Sequence, residues 1–135
     1  MTAKSIKGNS AEEIKAALQR SMSADFKPTL AIIFLSFKVD RKSVCKILDD
    51  EGIPVFGATT NGQFIDEDTK SAAIVVLLLD INPKYFYISF DEFPEKNCRE
   101  KTRSVAKQSL EKFAHPAFLI ASSNTETDAE ELLLG

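Results

Sequence analysis

Three short clusters of hydroxyl, amide and glycine residues are the parts of this sequence best suited to hold a ligand. They are Ser36, the run Thr59-Thr60-Asn61-Gly62, and Ser123-Asn124 within Ser122-Ser123-Asn124-Thr125. Each follows a short apolar stretch. Hydroxyls and amides can both donate and accept hydrogen bonds, and Gly57 and Gly62 allow backbone to approach a ligand closely. If the apolar stretches are parallel strands, all three clusters lie at the carboxyl edge of one sheet. There they and the N–H groups of helix ends could bind a carboxylate. The same residue types are also the ordinary material of loops and caps, so both readings stand at this point.

Other chemistries lack their parts. Gly57-Ala58-Thr59-Thr60-Asn61-Gly62 has the glycine spacing of a phosphate loop, but Gln63-Phe64 stands where Lys and Ser/Thr are required. There is no Gly-x-Ser-x-Gly elbow, and the single imidazole, His115, precedes Pro116 at an expected helix end. Cys98 opens a helix between Lys96 and Arg99, the better setting of the two cysteines for a reactive thiol, whereas Cys45 beside Val44 and Ile47 reads as core. Asp66, Glu67 and Asp68 have neither a nearby His nor calcium-loop spacing and read as a solvated turn. On these residues an enzyme is supportable only if a cleft gathers Cys98 with a base, and neither cofactor nor metal is expected.

Composition narrows the class. With 17 Lys and Arg against 20 Asp and Glu, the 135 residues carry a net charge of −3; 44% are hydrophobic and 27% charged, the mixture of an ordinary globular domain. No cluster of basic residues is present to displace counterions from a nucleic acid. The longest apolar runs, 30–35 and 72–79, fall far short of the roughly 20 residues of a membrane helix. The first residues lack a signal-peptide core, and two distant cysteines form no disulfide framework, so the expected location is the cytoplasm.

The elements that must position these clusters follow from periodicity. Ser10-Ala11-Glu12-Glu13 is a capping box, and Ile14, Ala17, Leu18 and Met22 recur at helical spacing, predicting a helix over 10–22. Residues 29–36 are apolar on both faces and suit a buried strand. Asp40 then caps a helix running to about Glu51, stopped by Gly52, and 54–59 is the next strand, completing a βαβ unit with a right-handed parallel crossover. Residues 63–65 read as a short extended piece, 72–79 as an entirely apolar strand, and 85–90 as an alternating strand. Asp80-Ile81-Asn82-Pro83 between the last two favours an antiparallel hairpin. Asn97-Cys98-Arg99-Glu100 opens a further helix that carries Val105, Leu110 and Phe113 and stops before Pro116; 117–121 is the last strand. Thr127-Asp128-Ala129-Glu130 caps another helix, which Gly135 interrupts after about one apolar turn, so the sequence reads as cut off mid-element.

These landmarks resemble the N-terminal FIST domain, a sensory module of signal-transduction proteins. The family pattern has an apolar strand ending in Ser, matched by 31–36, then Pro-Val-x-Gly with a Ser/Thr pair and a second Gly, matched by Pro54-Val55-Phe56-Gly57, Thr59-Thr60 and Gly62. A very apolar strand follows, matched by 72–79. Later comes a strand whose loop leads into an acidic helix ending Leu-Leu-x-Gly, matched by 117–135. The likeness spans nearly the whole chain through short motifs. Ala58 stands where family members usually carry Cys, Asn61 where they carry Ala or Gly, Gln63 where they carry Glu, and Ser123-Asn124 where they carry Asp-Gly. The family domain also continues beyond the position of Gly135 into another strand and a second FIST domain.

The expected fold is therefore α/β, a mixed, partly parallel sheet layered with helices in a single domain. The resemblance implies a non-enzymatic sensor of small, amino-acid-like ligands, passing its signal to a partner protein or a fused output domain. The expected ligand contacts are Ser36, Gly57, Thr59, Thr60, Asn61, Gly62, Ser123 and Asn124. The competing class is a protein-interaction or homo-oligomerisation module built on the Leu132-Leu133-Leu134 end and the Phe-rich strands, with no nucleic-acid or membrane partner in either case.

Overall fold

The computed structural model describes residues 1–61, 73–92, 98–122 and 129–134. They fall in two compact units, Met1–Tyr87 and Ile88–Gly135. The first unit contains strands β1 (Thr2–Gly8), β2 (Leu30–Ser36), β3 (Val55–Thr60) and β4 (Ile74–Asp80), with helices α1 (Ala11–Ser21) and α2 (Arg41–Asp50). The sheet order is β1-β4-β2-β3. β2 and β3 pair in parallel, and β4 runs antiparallel to both β1 and β2, so β1, β2 and β3 all point the same way. The α/β class and the mixed, partly parallel sheet agree with the expectation.

Register explains the core. Ile6, Val76, Ile33 and Gly57 lie in one row across the sheet; Gly8, Ile74, Leu35 and Thr59 form the next row, and Lys4, Leu78, Ala31 and Val55 the one beyond. On this face Ile6, Ala31, Ile33, Leu35, Ile74, Val76 and Leu78 pack with Ile14 and Leu18 of α1 and Val44 and Leu48 of α2. Those four helix side chains are fully buried, and each such burial favours folding by about 1.5–3 kcal/mol. Gly57 must be glycine. A Cβ there would collide with the Ile33 carbonyl oxygen and lie 2.7 Å from Ile33 Cγ2. Gly52, at φ +70°, turns the chain out of α2 toward β3, the left-handed conformation glycine adopts without strain.

Three expectations change. β1 is an addition to the expected elements, since Ile6 is the one large apolar side chain in Thr2–Gly8 and gives no alternating pattern. Its presence removes the expected 80–83 hairpin: β4 already has β1 on one side and β2 on the other, leaving no edge for a strand at 85–90. Instead Thr29 Oγ1 accepts a 2.9 Å hydrogen bond from Ile81 N, and Asn82 caps a 3-10 turn, Pro83–Tyr85, by accepting from Lys84 N at 3.1 Å. The expected strand at 117–121 has no ladder, and its Phe118, Leu119 and Ile120 side chains are exposed. The extended piece at 63–65 and the acidic turn at 66–68 lie outside the described residues.

The second unit is built on α3 (Cys98–Lys112) and α4 (Ala129–Leu133), which touch each other. Within α3 the Thr102 and Ser109 hydroxyls donate back to the Cys98 and Val105 carbonyls, at 2.9 and 2.8 Å. Leu110, expected on its apolar stripe, is exposed. Among the described residues no helix is long and apolar enough to cross a membrane.

Candidate functional site

Because β1, β2 and β3 run in one direction, their carboxyl ends meet the amino end of β4 at a single edge of the sheet. α1 starts just after β1 and α2 just after β2, so both helix N-termini arrive at this edge. Between them lies an open groove of about 330 Å³, lined by Asn9, Ser10, Ala11, Glu12, Lys38, Val39, Asp40 and Ser43. That volume is at the small end for a ligand site.

Local hydrogen bonds hold the walls in place. Ser10 N-caps α1, its Oγ accepting from Glu13 N at 3.3 Å, while the Glu13 carboxylate reaches back to accept from Asn9 N at 2.9 Å. This is a capping box displaced by one residue, with the return bond on Asn9 in place of the cap itself. Asn9 Oδ1 in turn accepts from Ala73 N at 3.1 Å, tying the β1–α1 loop to the start of β4. On the other wall, Asp40 caps α2, accepting from Lys42 N at 3.1 Å and from the Ser43 hydroxyl at 2.7 Å. The turn leading to it is held by Ser36, whose carbonyl accepts from Val39 N at 3.0 Å and whose hydroxyl accepts from Lys38 N at 3.3 Å.

These contacts set the charge of the groove. The Ser43 hydroxyl, with the Ser43 and Lys42 backbone, holds the Asp40 carboxyl below its ordinary range. Glu12 is also lowered, first by its own backbone N–H and then by the Ser10 hydroxyl. Both acids are therefore ionised at neutral pH, and each places negative charge at a helix N-terminus, where the macrodipole favours it. Lys38 supplies the ammonium among the lining residues. The lining thus contains two carboxylates and Lys38, whose ammonium lies 5.8 Å from the centroid of the Phe37 ring, with hydroxyls at Ser10 and Ser43. That differs from the carboxylate-binding cradle of free helix N–H groups expected above, since Ser10 and Asp40 already engage N–H groups of the first turns.

The expected contact residues divide by position. Ser36 and Thr60 are direct partners in the β2–β3 register, so two of the three anticipated clusters do share the carboxyl edge, with Asn61 exposed just beyond. Ser36 also forms the turn that leads into the groove. Thr59 is exposed on the helix side of β3, and Gly57 sits mid-strand, where its lack of a side chain serves the packing against Ile33. Gly62, Ser123 and Asn124 lie outside the described residues. The third strand that delivers a loop to this edge is β1. From sequence alone Ser10 and Asp40 read only as caps; with β1 in the sheet, Asn9, Ser10, Glu12, Lys38, Asp40 and Ser43 line one groove.

The thiols are shielded. Cys98 is buried despite its place at the start of α3, and burial pushes the half-buried Cys45 thiol upward against the opposing charge of Arg41. His115 is exposed. Among the described residues no group of three or more His, Cys, Asp or Glu side chains is placed to hold a metal ion. Comparison with protein-family models, with curated proteins and with solved structures finds no match to this chain.

Proposed function

We propose that this chain is a non-enzymatic sensory domain of intracellular signal transduction that takes a small, amino-acid-like ligand at the carboxyl edge of its sheet. The observation that supports this reading is the charge set of one groove, with Glu12 and Asp40 on the helix N-termini and Lys38 in the loop between β2 and α2. A zwitterion has an ammonium for the two acids and a carboxylate for the lysine. Phosphate and other bare anions meet two carboxylates already seated where an anion would go. The resemblance to the N-terminal FIST domain points to the same ligand class and to a partner protein or fused domain that receives the signal. Sensing further requires a ligand that binds two states of the fold unequally.

Thermal unfolding of the full chain in the presence of each common amino acid tests the proposal. An amino acid at one hundred times its dissociation constant adds about 2.7 kcal/mol to stability. The corresponding amine without its carboxylate, and the N-acetylated acid, should each lose most of that shift, and so should Lys38→Ala. A folded chain whose unfolding no amino acid moves would overturn the reading. A second reading, a protein-interaction module, draws on the exposed Phe118, Leu119, Ile120 and Leu133 side chains. It predicts a dimer by light scattering that Leu133→Asp dissociates; a monomer at all concentrations counts against self-association.

A further inference from the structure

We draw no further inference here: the strongest candidate, the apolar face of the sheet opposite α1 and α2, formed by the half-buried Ile32, Phe56, Val75 and Leu77 and the exposed Phe34, has nothing in the structure to show what covers it.

Discussion

Two stretches of this chain carry nearly the same local message and meet different fates. Leu30–Ser36 and residues 117–121 are both short, apolar on alternate and intervening positions, and free of charge. The first becomes β2, hydrogen-bonded to β3 on one side and β4 on the other, with Ala31, Ile33 and Leu35 buried. The second has no ladder, and Phe118, Leu119 and Ile120 are each more than half exposed, at 51%, 60% and 54%. Strand propensity therefore describes what a segment is suited to; cross-strand partners distant in sequence decide whether it becomes one.

Mutations can sharpen or break that contrast. Truncating Ile33→Ala should cost about 2–5 kcal/mol in denaturant unfolding, because the residue fills the centre of the core row, whereas Leu119→Ala should stay within about 0.5 kcal/mol. Equal costs would show that 117–121 has a packed role its exposure denies. Next in size is Gly57→Ala, for which about 1–3 kcal/mol is expected from forcing β3 away from the Ile33 carbonyl. An unchanged midpoint there would mean the parallel pair yields more easily than its register suggests.

If distant partners outweigh local signals, removing a cap should matter less. Ser10→Ala should lower stability by about 1 kcal/mol, read from the same curves. A loss as large as that for Ile33→Ala would reverse the ranking. The smallest expected effect is on pH dependence. Asp40 is lowered from an ordinary value of 3.8 in the folded chain, so its contribution is present above that value and fades as the pH falls through it toward the lower folded value. Melting temperatures between about pH 5 and 3 should fall less steeply in Asp40→Asn than in the parent. Parallel profiles would show that the Ser43 and Lys42 contacts do not distinguish folded from unfolded chain.

Local chemistry was the legible part of the fold. Ser10, Asp40 and Gly52 marked the ends of α1 and α2 within a residue or two, because caps and left-handed glycines act through neighbours in the chain. The parallel β2–β3 pair was also readable, since thirty residues of strand, helix and strand leave few other arrangements. β1 was not, because Lys4, Ser5 and Lys7 around a single Ile6 give little period-two contrast. The place of β1 beside β4 decides both the absence of a hairpin between β4 and residues 85–90 and the position of the groove. For the site, Ser36 and Thr60 could be placed at the carboxyl edge from their strands alone. That Glu12, Lys38 and Asp40 line one groove depends on the sheet order, which no local pattern encodes.

The position of β4 bears on how the chain comes together. The segment that joins β1 to the rest of the sheet is made after both α helices of the first unit and after β2 and β3. A nascent chain that has not yet reached Ile74 therefore lacks the strand with which Thr2–Gly8 pairs. Closing the sheet then requires β4 to slide into a gap between two earlier strands, a step of high contact order that should be slow and should expose sticky edges while it lasts.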